Sequence, residues 1–154
     1  SPLHTNDVIS IPIRLLDMGV PRYMVALSLQ LVLAQRLVRV VCENCAEPHT
    51  PAPHEHEWLR YELGDTVDQR KYVHGKGCAN CGGTGYNGRT GVYEMLEMTN
   101  EIGEALNAED TGVFVQAARK QMAGETLRRD AVRLVVKGRT TIEEAMRISN
   151  QFED

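Results

Sequence analysis

Long apolar runs are scarce in this 154-residue chain. The longest, Tyr23 to Ala34, is cut by Ser28 and Gln30 and runs into Gln35-Arg36, so it reads as a buried helix and not as a membrane span. A Gly-x-x-x-x-Gly-Lys-Ser/Thr phosphate loop is also missing, because neither Gly75-Lys76 nor Lys137-Gly138-Arg139-Thr140 has that order. No nucleophile elbow, HExxH helix or paired-carboxylate constellation stands in its place. Positive charge is in deficit: 17 Lys and Arg face 21 Asp and Glu, giving a net charge of -4 and a pI near 5.7. Affinity for a polyanion comes mainly from clustered basic residues, so the chain is not expected to bind nucleic acid. No cleavable signal sequence is recognisable, and cysteines held reduced on a metal would point to a reducing compartment.

Hydrophobic residues make up 42% of the chain, enough for one compact domain or two small ones. The whole cysteine complement is two pairs, Cys42-Glu43-Asn44-Cys45 and Cys78-Ala79-Asn80-Cys81. A CxxC turn lets two thiolates reach one cation from one side, and a second turn completes a tetrahedral four-sulfur shell. Such a shell has no open position for water or substrate, so the predicted site is a structural clasp, not a catalytic centre. The paired spacing favours a shared ion over a disulfide pair, a redox CxxC or four unrelated buried thiols. Zinc suits the long polar insertion between the pairs, while an iron site of the rubredoxin type would use the same four sulfurs. His49, His54, His56 and His74 lie in that insertion as substitute ligands, although four thiolates already satisfy an ion.

Glycines crowd the second pair from Gly75 to Gly85, where left-handed backbone angles let amides approach the sulfurs. Cys78 to Gly85 also matches the CxxCxGxG element of J-domain chaperones, but Cys42 to Pro48 lacks those glycines, so a chaperone repeat fits poorly.

Local patterns predict an α+β fold that is predominantly helical. Cap-type residues His4 to Asp7 precede a first helix that stops at Gly19 and Pro21, and a second, buried helix runs from Pro21 to Ala34. Leu37 to Val41 reads as a short strand feeding Cys42. Between the pairs, Pro48 to Pro53 reads as a loop, His54 to Leu63 as a helix anchored by Trp58, and Lys71 to His74 as a strand. Gly88 to Met98 reads as a turn and a strand, with Met95, Leu96 and Met98 in the core. A helical bundle follows from Asn100, with Thr126, Thr140 or Thr141 as caps, Gly124 and Gly138 as stops and a capping box from Thr141 to Glu144. Arg119, Lys120, Arg128, Arg129, Arg133, Lys137 and Arg139 give that bundle a basic side, read mainly as solvated helix faces and otherwise as a patch for a partner. The expected division is 1–41, 42–98 around the cysteines, and 99–154.

Read together, Leu3 to Asp7, Arg14 to Gly19, Leu33 to Arg39, the cysteine pairs and Gly85 to Glu94 resemble the C-terminal part of the type II secretion and type IV pilus assembly ATPases, over nearly the entire chain. The ending, from Leu127 to Asp130 through Gly138 to Arg147, is most similar to the mannose-sensitive haemagglutinin (MSHA) pilus version of that family. The resemblance implies a fragment that starts at the family's His box and lacks its phosphate loop, acidic boxes and Mg²⁺-coordinating residue, so that it does not hydrolyse ATP alone. It implies a zinc-bearing insertion and, for the parent, ATP and Mg²⁺, a hexamer on the cytoplasmic face of the inner membrane, and a platform protein as partner. His4 would be the catalytic His-box residue near the γ-phosphate, with Pro2 standing where the family has Ser or Thr. A free-standing zinc-ribbon module that binds protein or nucleic acid is the competing reading.

Overall fold

The structure, a computed structural model, describes residues 8–150. It is α+β. In chain order the elements are α1 (Ser10–Asp17), α2 (Arg22–Ser28), β1 (Leu31–Val41), β2 (Ala46–His49), α3 (Pro53–Leu63), β3 (Tyr72–Gly75), β4 (Tyr86–Glu97), α4 (Asn100–Asn107), α5 (Thr111–Met122), α6 (Leu127–Val136) and α7 (Ile142–Asn150), with 3₁₀ turns at Gly64–Gln69 and Ala79–Cys81. β1 pairs with β4, and β2 with β3, in separate two-stranded sheets. The chain divides into two compact units, one of the described residues up to Gln35 with Tyr93–Leu127, the other of Arg36–Val92 with the described residues from Arg128 onward.

In the first unit, α1 stops as its sequence predicts. Gly19 takes φ +93, and the Gly19 and Val20 amides bond back to the carbonyls of Leu16 and Leu15, which satisfies two of the helix's open acceptors. The expected helix from Pro21 to Ala34 is corrected: α2 ends at Ser28 and the chain is already extended at Leu31. Met24, Leu27, Leu31 and Ala34 stand at helical spacing, but the run is apolar nearly all round, so that period does not discriminate and pairing with β4 decides its conformation. Val32 and Ala34 are buried while Leu31 and Leu33 are half exposed, a period of two. Across the sheet the same alternation buries Glu94 and Leu96 and leaves Met95 48% exposed, so Met95 is not a core residue. Thr99 and Asp110 cap α4 and α5 by accepting the amides of Ile102 and Gly112. Val25, Val32, Leu96, Ile102, Leu106 and Phe114 form the core of this unit. Glu94 is buried within it, and its two carboxylate oxygens accept the amides of Val8 and Leu127, each at 3.1 Å.

In the second unit, β2 runs antiparallel to β3 with Ala46 opposite Gly75 and His49 opposite Tyr72. Pro48 therefore lies in a strand and not in a loop, which a two-stranded ribbon permits because one edge of each strand needs no donor. α3 begins where Glu55 accepts the Ala52 amide at 2.8 Å. Leu59, fully buried, is its core anchor, correcting the expectation for Trp58, which is only half buried and stacks on a cation. That cation is Arg128 of α6, whose guanidinium carbon lies 4.5 Å from the Trp58 ring centroid and 4.6 Å from that of Tyr61, and which donates to the Trp58 carbonyl at 2.8 Å. Arg129 bonds Glu62 at 3.1 Å. These two members of the anticipated basic side are thus engaged with α3. α6 closes at Gly138, φ +75, with the Gly138 and Arg139 amides returning to the carbonyls of Val135 and Leu134. Thr141 then caps α7 by accepting the Glu144 amide at 3.1 Å.

Candidate metal centre

Cys42 follows directly on the last residue of β1, and the Cys45 amide turns back to the Cys42 carbonyl at 3.3 Å. The insertion between the pairs is closed at its base by the β2–β3 ribbon, so that Lys76 donates its amide to the Cys45 carbonyl at 3.1 Å and the second pair arrives beside the first. Cys78 opens the short 3₁₀ turn Ala79–Cys81, after which Gly82, Gly83 and Gly85 all take positive φ. The backbones of Gly75 and Gly85 pass so close that a Cβ on Gly85 would lie 2.6 Å from the Gly75 carbonyl oxygen. Only glycine fits there.

The four Sγ atoms lie within 4.8 Å of one another. Cys42 to Cys78 and Cys78 to Cys81 are 3.7 Å apart, and Cys45 to Cys81 is 3.8 Å. A tetrahedral ion with metal–sulfur bonds of about 2.3 Å separates its sulfurs by about 3.8 Å, whereas a disulfide would bring two of them to about 2.05 Å. The spacing therefore fits a shared ion, and the cysteines are free thiols. Donors also converge on the sulfurs: the Gly77 amide on Cys45 at 3.3 Å, the Cys78 and Gly85 amides on Cys81 at 3.3 and 3.1 Å, and the Asn44 carboxamide on Cys78 at 3.3 Å. N–H groups so placed favour thiolates over thiols.

Protonation is divided unequally. Burial pushes the Cys45 thiol up to about 12. Burial also opposes ionisation of Cys81, but the Cys78 and Gly85 amides aimed at its sulfur bring it down to about 6. Cys78 is lowered as well, chiefly by the Asn44 carboxamide. Clustered thiols cannot all ionise unless a cation offsets their mutual repulsion, which is the chemistry a divalent ion supplies.

The histidines of the insertion are occupied elsewhere. His49 Nε2 bonds Glu55 Oε1 at 2.9 Å, His74 Nε2 bonds Glu47 Oε1 at 2.8 Å, and His56 Nε2 bonds Asp68 Oδ1 at 2.9 Å, while His54 is exposed. Among the described residues, the cluster able to hold an ion consists of the four cysteines. His4 lies outside the described residues. Asn44, whose carboxamide N–H donates to the Cys78 sulfur, is a partner that the sequence did not reveal, since the middle positions of a CxxC turn carry no pattern. Glu94 and Glu144 are buried carboxylates with structural roles equally hidden in the sequence.

What the fold and site define is an α+β protein in which a β-ribbon and two knuckles bring four cysteines close enough to hold a metal ion. The chain belongs to the Type II/IV secretion system protein family, whose description matches residues 1–147. It is 34% identical over 151 residues to the type II secretion system protein E of Aeromonas hydrophila, covering 98% of this chain and 29% of that protein. The Type IV pilus assembly ATPase PilB of Thermus thermophilus is 37% identical over 144 residues, 94% of this chain and 16% of that protein. The Type II secretion system ATPase E of Vibrio cholerae is 34% identical over 155 aligned positions, with 98% and 29% covered. The chain thus spans less than a third of the length of these relatives.

Proposed function

We propose that these residues are the C-terminal part of a secretion or pilus-assembly motor ATPase, braced by a structural Zn²⁺ on Cys42, Cys45, Cys78 and Cys81. The observation that carries this reading is the family match from residue 1 to 147, made with relatives named as secretion proteins and pilus ATPases. The cysteine spacing supports the clasp, and the absence of an open coordination position supports a bracing role. In this reading the ATP- and Mg²⁺-binding residues belong to the remainder of a longer polypeptide, which works as a hexamer at the cytoplasmic face of the inner membrane and drives a platform protein. Residues 1–41 end the motor core, 42–98 form the metal-binding part and 99–154 the helical end, a division by role that cuts across the two packing units. The MSHA pilus system is the member we favour, on the similarity of the ending from Leu127 to Arg147. His4 is assigned to the γ-phosphate region of the assembled motor.

One finding agrees with a longer parent. Leu31, Leu33, Tyr93 and Met95 leave one face of the first unit's sheet about half exposed, and the Gln35 carboxamide bonds the Tyr93 hydroxyl at 3.2 Å on that face. A one-sided sheet normally turns polar residues outward, so an apolar outer face is made to be covered. The test is the reading frame immediately upstream of Ser1. It should encode a phosphate loop, and the polypeptide it specifies should hydrolyse ATP while residues 1–154 alone do not. A frame without that loop contradicts the assignment.

A further inference from the structure

The two strands that flank the cysteines, β1 before Cys42 and β4 after Cys81, are both tied to one short segment, Arg139 to Glu144, which leads from α6 into the first turn of α7. Three residues before Cys42, Arg39 donates its amide to Glu144 Oε1 at 3.0 Å and its guanidinium to Glu144 Oε2 at 2.9 and 3.1 Å, while its carbonyl accepts from Thr140 Oγ1 at 2.7 Å. Val41, next to Cys42, donates its amide to the Arg139 carbonyl at 2.9 Å. On the other strand, Gly85 accepts the Cys42 amide at 2.9 Å and gives its own amide to the Cys81 sulfur. The next residue, Tyr86, places its hydroxyl 2.7 Å from Thr141 Oγ1, and the Arg39 guanidinium carbon lies 4.0 Å from its ring centroid. Thr141 Oγ1 is the same atom that caps α7. Thr140, Thr141 and Glu144 are all buried, so water is a poor substitute for these partners.

We infer that residues 139–144 are a positioning element for the metal centre: they hold β1 and β4 so that Cys42 meets the second pair, and a bound ion in turn holds α7 in place. The inference rests on the metal reading above. Linkage makes both halves one quantity, because whatever factor helix docking adds to metal affinity, metal adds to helix docking. Tyr86 is the positioning residue best suited to a test, since its hydroxyl joins the strand leaving Cys81 to the α7 cap without touching sulfur.

The experiment uses the 154-residue chain, reduced, with Co²⁺ as the probe and hydrogen exchange of the α7 amides as a second readout. Tyr86→Phe should keep the wild-type sulfur-to-cobalt absorption, showing four thiolates, yet bind Co²⁺ about five- to tenfold more weakly, a factor at the lower end of usual coupling between sites. Removing metal should speed exchange in α7 of the wild type; in Tyr86→Phe that exchange should already be fast and respond little. Thr141→Ser, which keeps the hydroxyl, should behave as wild type, and Thr141→Val, which loses the α7 cap as well as the Tyr86 contact, should bind Co²⁺ at least as weakly as Tyr86→Phe. Should Tyr86→Phe fail to fold, as reported by emission of the single tryptophan, the Ser and Val pair at 141 decides. Equal affinity and equal α7 protection across these variants, or α7 exchange indifferent to metal, overturns the inference while leaving the metal centre intact. A wild-type chain with no sulfur-to-cobalt band overturns both.

Discussion

Two buried carboxylates carry much of the long-range order at the scale of single residues. Glu94 accepts amides from Val8 and Leu127, and removing it leaves both donors buried without that acceptor. Glu94→Ala is expected to lower stability by about 3 kcal/mol, since each buried donor left without an acceptor costs about 1–3 kcal/mol, whereas Glu94→Gln retains one acceptor and costs less. Urea denaturation of both variants checks the order. Glu144 differs in facing two guanidinium groups, those of Arg39 and Arg147. Burial opposes its ionisation, but the guanidinium groups of Arg147 and Arg39 and the Arg39 amide outweigh it and hold the carboxyl at about 2, below its ordinary 4.5. Since the folded state holds the proton less tightly than the unfolded chain, Glu144 contributes its full stabilisation above pH 4.5 and loses it as pH falls toward 2. At neutral pH the contribution is on the order of 3 kcal/mol. The stability gap between wild type and Glu144→Gln should therefore shrink from pH 7 to pH 3, and a gap independent of pH speaks against the ion-pair account.

At the scale of elements, the second knuckle depends on backbone approach that a side chain would block. Gly85→Ala places a Cβ against the Gly75 carbonyl and should abolish metal binding. Gly88→Ala is the matched control: its φ is +87, but open space surrounds it, so strain of about 1–2 kcal/mol is expected with metal retained. Metal content after gel filtration separates the two. Much of this element-level picture was legible in the sequence. Gly19 and Gly138 marked true helix ends, α3 and the four later helices fell where caps and periodicity placed them, and the CxxC spacing brought out all four clustered cysteines. What stayed hidden depends on partners far along the chain. The Leu-rich run after Leu29 is a strand because β4 pairs with it, and no local pattern records that. Likewise Val8 and Glu94 lie 86 residues apart, and Arg39 and Glu144 lie 105 apart, so neither burial could be read from neighbours in sequence. Met95 looked like core because its strand carries apolar residues on both faces, Val92 and Leu96 on the buried one and Tyr93 and Met95 on the other.

At the scale of the whole molecule, the exposed face around Leu33 and Met95 should make the isolated chain prone to self-association. Light scattering during gel filtration should show an apparent mass that rises with concentration, and Leu33→Lys should suppress the rise. A monomer at all concentrations would mean that the face tolerates water. Among the described residues, no helix is long and apolar enough to cross a membrane. Held by its strands, its ribbon and the turn from Arg139 to Glu144, the cysteine centre is the feature on which the second unit's organisation converges. Elemental analysis of the purified, reduced chain is its most direct test. The account predicts one zinc per chain in a colourless protein, released by chelation together with loss of stability in the second unit. A chain that folds with full stability and no bound metal, or one coloured by iron, contradicts it.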